Sequence, residues 1–357
     1  MTGTTLPRIR LEHLRHRLQA LGAGPVHERS VLRAWIRARP LDESPRRAED
    51  FLPRRLREAL PELAAEFGAL ARLRSEHPGA DGSARLLVEL GDGQEVESVL
   101  LPRGGLCVST QAGCAVGCVF CMTGRQGLAR HLGAAEIVGQ VALARSRRAV
   151  KKVVFMGMGE PSHNLDEVMD AIEFLGTLGD IGHKSLVFST VGDRRAFERL
   201  PRGPVKPALA LSLHSTIAAR RASLMPRAPR IDPEELVELG ERYARQTGYP
   251  IQYQWTLLEG INDGDEEVEG IARLLAGKYA VMNVIAWNAG EGMPFRRPSP
   301  ERTLAMLRAL GARGVLAKLR DSAGQDVEGG CGQLRSRAIR LREASPDRGA
   351  VRAIVAR

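Results

Sequence analysis

Four of the five cysteines of this 357-residue chain lie in one short stretch whose spacing is suited to metal binding. Cys114, Cys118 and Cys121 form a C-x3-C-x2-C pattern directly after a predicted strand. Three thiolates can bind three irons of a cubane iron–sulfur cluster and leave the fourth iron open, whereas such clusters are usually closed by four cysteines. Zinc is the alternative, because Cys107 offers a fourth sulfur, but structural zinc sites favour two short Cys-x-x-Cys pairs.

Short apolar runs that alternate with helical patterns must position these cysteines. The predicted strands are 106–110, 153–156, 186–189, 208–213, 251–257, 281–286 and 315–319. The predicted helices between them are 134–145, 165–178, 233–246, 266–275 and 300–310. This alternation predicts an α/β fold of parallel strands with helices outside. About six such units are too few for an eightfold barrel, so we predict an open partial (β/α)6 barrel with its site at the carboxyl ends of the strands.

Two further modules are predicted before the barrel. A small N-terminal helical domain has helices near 11–21, 28–37 and 53–74. Strands at 86–90 and 95–101 flank a Gly-rich turn and form a β-hairpin extension. The predicted boundaries are 1–84 for the helical domain, 85–105 for the hairpin extension, 106–340 for the barrel and 341–357 for a basic tail.

The charge balance of the chain is basic, with 52 Lys and Arg against 42 Asp and Glu, a net charge of +10. A basic surface suits a polyanionic partner such as RNA, although an arginine-rich proteome would produce the same excess. The helical domain has arginines that fit either RNA phosphates or a solvated helix face: Arg46, Arg47, Arg54, Arg55 and Arg57.

The cellular compartment and the oligomeric state are predicted from sequence features that are not found. We expect no membrane span, because no run of about 20 apolar residues occurs. No secretory signal is recognised at the N-terminus, and clustered cysteines fit a reducing compartment, so we expect a cytoplasmic protein. We also expect a monomer, because no heptad pattern is evident.

Four motifs occur in order along the chain: Leu106–Cys114 (LCVSTQAGC), Gly157–Pro161 (GMGEP), Ser212–His214 (SLH) and Gly330–Leu334 (GCGQL). With the cysteine pattern, they make the chain resemble the radical S-adenosylmethionine (SAM) RNA adenine methyltransferase family. Members of this family modify C2 of adenosine in ribosomal and transfer RNA, and their relatives modify C8. The resemblance covers about residues 86–334.

The resemblance implies cofactors and their binding residues. Cys114, Cys118 and Cys121 would ligate a [4Fe–4S] cluster whose open iron binds the amino and carboxylate groups of SAM. Gly159 and Glu160 would contact SAM at a strand end. Its pocket would be completed by Ser189, Ser212, Leu213, His214 and Asn288. Taken singly, these residues also fit ordinary roles, such as a turn at 157–161 or a hydrogen-bonded histidine at position 214.

The resemblance also implies a route through protein sulfur. Cys331 would take a methyl group from one SAM, and a second SAM, cleaved with an electron from a flavodoxin-type donor, would supply the radical that removes a hydrogen from that methyl. After addition to the base, Cys107 would remove a proton, and a Cys107–Cys331 disulfide would release the product. The alternatives are a buried small hydrophobe at Cys331 and a strand-core cysteine at Cys107. Glu97 is either a further catalytic base or a charged residue on the exposed face of the hairpin.

Some positions depart from the commoner family pattern, and they leave the target nucleotide open. Gly329 and Gly330 stand where two alanines are usual, Ala289 where proline is usual and His131 where asparagine is usual. Two other functions therefore remain as alternatives. One is a radical SAM enzyme with a different RNA or a non-RNA substrate, and the other is a non-catalytic, zinc-dependent RNA-binding module.

Overall fold

The computed structural model of the protein describes residues 8–43 and 47–335. Arg46 and the predicted tail at 341–357 lie outside this part of the chain. Its helices are α1 (Leu11–Ala20), α2 (Pro25–Ile36), α3 (Ala48–Phe51), α4 (Arg54–Glu58), α5 (Leu60–Ala69), α6 (Met122–Gln126), α7 (Ala134–Arg147), α8 (Leu165–Thr177), α9 (Arg194–Arg199), α10 (Ala218–Leu224), α11 (Pro233–Thr247), α12 (Asp265–Leu275) and α13 (Pro300–Ala312). Its strands are β1 (Arg72–Pro78), β2 (Ala84–Glu89), β3 (Glu95–Leu101), β4 (Gly105–Cys107), β5 (Gln111–Gly113), β6 (Leu128–His131), β7 (Lys152–Phe155), β8 (Leu186–Thr190), β9 (Ala208–Ser212), β10 (Ile251–Leu257), β11 (Ala280–Ala286) and β12 (Ala317–Leu319).

One large sheet organises the molecule, with strand order β1-β2-β3-β4-β7-β8-β9-β10-β11-β12. From β4 to β12 every neighbouring pair is parallel, whereas β1 to β4 pair antiparallel. The sheet ends at β1 and β12 and does not close on itself. The prediction of an open α/β partial barrel with an antiparallel extension is therefore confirmed.

Local sequence explains the regularity of the parallel part. Strands β7 and β9 are almost continuously buried apolar runs, as expected for strands covered on both faces. Helix α11 begins with Pro233 in its first turn and ends at Gly248, whose φ of 73° is a left-handed conformation that favours glycine. The prediction of a strand at 251–257 matches β10 residue for residue.

The helix predicted at 53–74 is two helices, α4 and α5, and the prediction is wrong after Ala69. Proline at position 61 starts a new helix, α5, which ends at Ala69. Residues from Arg72 onward form β1, whose backbone pairs with β2 from Arg72 opposite Glu89 to Pro78 opposite Ala84. Long-range pairing overrides the helical pattern there. The antiparallel extension thus begins inside the range predicted for the helical domain.

The N-terminal helices pack on the outside of the barrel. Trp35 of α2 is buried, with its ring 5.2 Å from that of Phe67 in α5 and 6.0 Å from that of Phe174 in α8. Three aromatic rings from separate elements therefore fasten this module to the barrel helices. In the described ranges, no helix is both long and apolar enough to cross a bilayer.

Candidate active site

The three clustered cysteines lie in the loop between β5 and α6, which a second, two-stranded sheet of β5 and β6 holds in place. Gly113 has a φ of +81°, and a Cβ there would lie 2.0 Å from the carbonyl oxygen of Gly127. The backbone N–H of Cys114 donates to that same carbonyl at 2.8 Å. Glycine at 113 is therefore required for the close approach that starts the loop. The sequence analysis missed this small sheet.

Burial dominates the chemistry of these thiols. It raises the pKa of Cys114 to about 12, with smaller contributions from Cys121 and Glu160. Burial likewise raises the pKa of Cys118 well above 9.0, and Cys121, Cys114 and Glu160 raise it further. The thiols are thus close enough to repel one another as thiolates. A bound cation removes this cost, because a coordinated thiol is deprotonated outright.

The three thiols of this loop suit the three-thiolate set of a cubane cluster, with zinc as the alternative. Zinc needs all its sulfurs about 2.3 Å from one point, whereas each thiolate of a cubane binds its own iron. Burial, and then the nearby Cys331, raise the pKa of Cys107, which is the alternative fourth zinc ligand.

The turn at 157–161 joins strand ends to the cysteine loop. Gly159 has a φ of +108°, and a Cβ there would lie 2.7 Å from the Cβ of Gln111. The Gln111 side chain accepts from the Glu160 backbone N–H at 2.7 Å and lies 2.8 Å from Nδ1 of His131. Gln111, which sequence reasoning missed, thus connects β5, β6 and the turn.

Glu160 is buried at the same place. Its Oε1 accepts from the backbone N–H of Ser162 and its Oε2 from that of Val191, both at 3.0 Å. The carboxylate therefore ties the end of β8 to the end of β7. Its charge raises the pKa of the neighbouring Cys114 and Cys118. Gly159 and Glu160 lie beside the cysteine loop, where the resemblance expects cofactor contacts.

His214 is held in an unusual conformation just after β9. Its φ is 58°, which is uncommon for a residue other than glycine. Nδ1 accepts from the backbone N–H of Thr256 at 2.9 Å, and the ring packs edge-on against Phe120, with centroids 4.9 Å apart. Burial, and then the charge of Arg221, lower its pKa to about 3, so the ring is neutral with its proton on Nε2.

The remaining predicted pocket residues also lie at strand ends. Ser189 lies near the end of β8, Ser212 ends β9, and fully buried Leu213 follows it. Asn288 follows β11 by two residues and is buried. Parallel strands bring these carboxyl ends to one edge of the barrel, as predicted.

Arg221 is a second residue that the sequence analysis missed. It lies in α10, is 4% exposed, and donates from Nη2 to the carbonyl oxygens of Val191 and Ser212. Burial lowers its pKa to about 10, while Cys118 and Glu160 act in the opposite direction. Arg220 stands beside it in sequence, and nothing in the pattern indicates which of the two arginines turns inward.

The segment that carries Cys331 folds back onto the cysteine loop. The carbonyl oxygen of Gly332 accepts from the backbone N–H of Met122 at 2.8 Å, and that of Leu334 from Oγ1 of Thr123 at 2.6 Å. Asn288 donates from Nδ2 to the carbonyl oxygen of Cys331 at 3.0 Å. Cys331 itself is exposed, as a reactive thiol must be.

The structure brings Cys331 and Cys107 into one neighbourhood. Burial raises the pKa of Cys107, and Cys331 raises it further. Burial also raises the pKa of Cys121, with a smaller contribution from Cys331. Cys331 therefore acts electrostatically on both the cluster loop and the end of β4. Both remain free thiols here.

Glu97 is not on an exposed hairpin face, so that expectation is wrong. Its side chain is 1% exposed and forms an ion pair with Arg85, whose side chain is 6% exposed. Its Oε2 also accepts from the backbone N–H of Arg335 at 2.8 Å. The alternation of β3 predicts one solvated face, but β3 is buried on both faces because the chain after β12 returns across it.

Two buried polar atoms at the strand ends lack partners within the described residues, Nε of Arg221 and Oδ1 of Asn288. One is a donor and the other an acceptor, and leaving such groups unpaired costs about 1–3 kcal/mol each. A ligand with both a carboxylate and an ammonium group, such as the methionine part of SAM, has the complementary chemistry. The residues present therefore fit SAM as well as the cluster.

An open parallel barrel with a three-cysteine loop beside its strand ends is the architecture of a radical SAM protein. Residues 108–275 match the model of the Radical SAM superfamily. A protein from Aromatoleum aromaticum named probable RNA methyltransferase is 69% identical over 95% of this chain and 98% of its own. One of the same name from Pseudomonas aeruginosa is 66% identical over 92% of this chain and 96% of its own.

A solved structure extends the comparison to three dimensions. The crystal structure of a radical SAM methyltransferase from Sphaerobacter thermophilus has a TM-score of 0.80 and 35% identity, and the match covers 93% of this chain and 99% of that one. This chain therefore belongs to the radical SAM methyltransferase family that includes these proteins.

Proposed function

We propose that the protein methylates an adenine carbon of RNA, C2 in the first instance, in ribosomal RNA, transfer RNA or both. The observation that carries this proposal is the docking of the Cys331 segment on the residues that follow Cys121. An exposed thiol beside the cluster loop suits transfer of a methyl group through protein sulfur. RNA as the substrate is supported by the names of the relatives and by the net charge of +10.

The N-terminal arginines give the RNA proposal a more local basis. Arg54 is paired with Glu58 at 2.8 Å, but Arg47, Arg55 and Arg57 have no ion-pair partner among the residues that the structure describes. Unpaired arginines are available for phosphate contacts, which position RNA without reading its sequence.

Cys114, Cys118 and Cys121 would hold the [4Fe–4S] cluster, and SAM would lie at the strand ends. Its contacts would come from Gly159, Glu160, Ser189, Ser212, Leu213, His214 and Asn288. When bound, the two cofactors would supply one-electron chemistry: abstraction of a hydrogen atom from a methyl group on sulfur and an acceptor for the electron that the base adduct releases. The remaining steps belong to the cysteines of the chain.

Cys331 acts first as a nucleophile. Its thiolate attacks the methyl carbon of the SAM sulfonium, so a new S–CH3 bond forms and S-adenosylhomocysteine leaves. This step uses one SAM and the radical step a second, which gives two per turnover. Exposure of Cys331 keeps its sulfur accessible for this displacement.

Cys107 acts second, as base and then as resolving thiol. Burial raises its pKa, so Cys107 rests as a thiol, and the thiolate that forms once this proton has passed to solvent is a strong base for the ring proton of the adduct. Its sulfur then attacks the Cys331 sulfur, the S–S bond forms, and the bond from Cys331 to the methylene carbon breaks. That carbon takes the electron pair, together with the proton that the Cys107 thiol gives up on attack, and becomes the product methyl group. An external dithiol must reduce the disulfide afterwards.

Several partner properties belong to the same proposal. A flavodoxin-type protein would deliver the electrons, and the enzyme would act as a cytoplasmic monomer. The glycines at 329 and 330 and the histidine at 131 leave methylation of C8, or of another RNA, as the alternative within the family.

Anaerobic reaction of cluster-loaded enzyme with unmodified ribosomal and transfer RNA, SAM and a reductant tests the proposal. Mass spectrometry of the nucleosides should show 2-methyladenosine, and 8-methyladenosine would place the protein with the C8 relatives. Cys331→Ala should yield neither nucleoside while it retains its iron. Methylation by that variant would overturn the route through sulfur. A brown enzyme that cleaves SAM but methylates no RNA would overturn the RNA substrate, and a colourless zinc protein would overturn both.

A further inference from the structure

One buried ion pair on the antiparallel extension holds both ends of the segment that carries Cys331. Nε of Arg85 donates to the carbonyl oxygen of Val327 at 2.6 Å. Oε2 of Glu97 accepts from the backbone N–H of Arg335 at 2.8 Å. Val327 precedes Cys331 by four residues and Arg335 follows it by four. The pair thus bonds to the segment at the same distance along the chain on either side of Cys331.

The pair consists of two charged side chains that are almost fully buried within a sheet. Arg85 on β2 and Glu97 on β3 are 6% and 1% exposed, and they are bonded to each other through Nη1 and Oε1. Burial of two charges in a sheet costs desolvation energy, and apolar residues of similar size often serve stability equally well. Nε of Arg85 and Oε2 of Glu97 both bond to the segment that carries Cys331, and these contacts favour a positioning role.

The strand that carries Glu97 lies next to the strand that carries Cys107. Val99 of β3 stands opposite Cys107 of β4 in the antiparallel register. The carbonyl oxygen of Glu97 also accepts from Oγ of Ser109 at 2.6 Å, just beyond Cys107. The middle of the Cys331 segment is pinned separately, by Met122 and Asn288 on the cluster side.

We propose that Arg85 and Glu97 form a two-point clamp that positions Cys331 for disulfide formation with Cys107. The clamp fixes the two ends of the segment over β3, and Met122 and Asn288 hold its centre. The Cys331 thiol thereby lies between Cys107, with which it forms the disulfide, and SAM, from which it takes the methyl group. Both are positioning residues, and Glu97 need not move a proton. This inference rests on the proposed function, because it assigns the pair to the step that releases the product.

The test measures disulfide formation directly, without RNA. Diamide takes two electrons and two protons from the Cys107 and Cys331 thiols of the anaerobic holoenzyme, and alkylation followed by peptide mass spectrometry follows the S–S bond with time. Arg85→Lys keeps the positive charge but loses the planar fork that contacts two groups at once. We expect it to slow the disulfide by roughly tenfold, because lost proximity lowers the effective concentration of the thiols.

Arg145→Lys is the matched control. Arg145 also donates to backbone carbonyls, those of Ile36, Val150 and Gly179, but it lies at the end of α7 and contacts nothing in the Cys331 segment. Its disulfide rate should equal that of the wild type. Equal rates for Arg85→Lys and the wild type, or equal slowing by both arginine variants, would overturn the clamp.

A double variant guards against misfolding. Arg85→Met with Glu97→Leu removes both charges together, because a single buried charge left alone destabilises strongly. The double variant should retain its iron and also form the disulfide slowly. Retained iron with an unchanged disulfide rate would overturn the proposal.

Glu97→Gln separates positioning from proton transfer. The amide oxygen still accepts from Arg335, so a clamp predicts a disulfide rate closer to wild type than that of the double variant. Methylation then separates the two roles: a clamp predicts that Glu97→Gln keeps most of its methylation activity, whereas lost methylation with an undisturbed disulfide rate would identify Glu97 as a catalytic base and overturn the positioning role. If wild-type enzyme forms the disulfide rapidly, with this dependence on Arg85, yet methylates no RNA, the clamp stands and the proposed function fails.

Discussion

The two cysteine-bearing segments of the molecule are held by contacts of very different range. In the cluster loop, Cys114 bonds to Gly127, and Cys121 bonds to Cys118, all within one short piece of chain. In the Cys331 segment, the bond from Thr123 to Leu334 spans 211 residues and that from Arg335 to Glu97 spans 238. The cluster loop also has long-range bonds, from the backbone N–H of Val119 to the carbonyl oxygen of Leu224 and from Nε1 of Trp287 to that of Phe120. Local bonds fix Cys114 and Cys121, however, whereas distant parts of the fold fix both ends of the Cys331 segment.

This difference separates binding of the cofactor from use of the reactive thiol. Local glycines and a two-stranded sheet fix Cys114, and a local bond fixes Cys121, without the C-terminal segment, which bonds to Met122 and Thr123 just after them. The Cys331 segment reaches its place only when β2, β3 and the loop after β11 are already assembled. Substitutions in the two segments should therefore have distinct signatures, in iron content and in reactivity.

The largest expected difference is in bound iron, between Cys118→Ala and Cys331→Ala. Loss of one of three cluster thiolates should remove nearly all bound iron and the brown absorbance, because the cluster has no fourth protein ligand in this loop. Cys331→Ala should retain wild-type iron and still lose methylation. Iron and sulfide analysis with visible spectra checks this, and an iron-free Cys331→Ala protein would break the separation of the two segments.

A second test uses two glycines of the cluster region. Gly113→Ala places a Cβ 2.0 Å from the Gly127 carbonyl oxygen, in addition to a left-handed φ that costs about 1–2 kcal/mol for other residues. We expect it to lose most of its iron.

Gly117→Ala is the matched control for Gly113→Ala. Its φ of +68° carries the same conformational cost, but the nearest atoms to its Cβ are side-chain atoms of Arg227 at 3.8 Å and beyond. It should retain clearly more iron. Equal iron in the two variants would show that the contact with Gly127 does not organise the loop.

Gln333→Ala should affect only the second segment. Gln333 accepts from the backbone N–H of Gly330 at 3.0 Å and donates to the carbonyl oxygen of Ala289 at 3.1 Å. Loss of two hydrogen bonds, each about 1 kcal/mol, should slow methylation by roughly tenfold with unchanged iron. Gln325→Ala, which loses mainly a local bond to Ser322, is the control, and equal slowing by both would contradict the assignment.

The last effect, which leaves iron and methylation aside, is a pH dependence of stability that originates at His214. The pKa of His214 falls from 6.5 to about 3 on folding. Between these two pH values, the unfolded chain binds a proton at this ring and the native protein does not. Stability should therefore decrease as pH falls from 6.5 towards 3, by roughly 1.4 kcal/mol per pH unit from this group. His214→Asn, which tolerates a positive φ, should show a shallower decrease in urea titrations at pH 6.5, 5.5 and 4.5.

The result for His214 also concerns the strand ends beside the cluster loop, one of the two regions compared above. Arg221 is the charged group that lowers this pKa, and it lies beside Cys118 at the strand ends. An unchanged slope in His214→Asn would mean that the neutral ring does not account for the acid sensitivity of this part of the site.

The sequence alone determined the cluster loop, the parallel strands and the placement of the residues at their carboxyl ends. These features depend on short spacings, on alternation of apolar runs with helices and on a rule that brings strand ends to one edge. The tertiary structure decided the surroundings of Cys331, the burial of Glu97 with Arg85, and the inward turn of Arg221. The ends of the Cys331 segment depend on hydrogen bonds between parts of the chain more than 200 residues apart, such as the 242 residues between Arg85 and Val327. Arg221 turns inward to the carbonyl oxygens of Val191 and Ser212 on two different strand ends. Contacts of both kinds leave no periodic trace in the sequence.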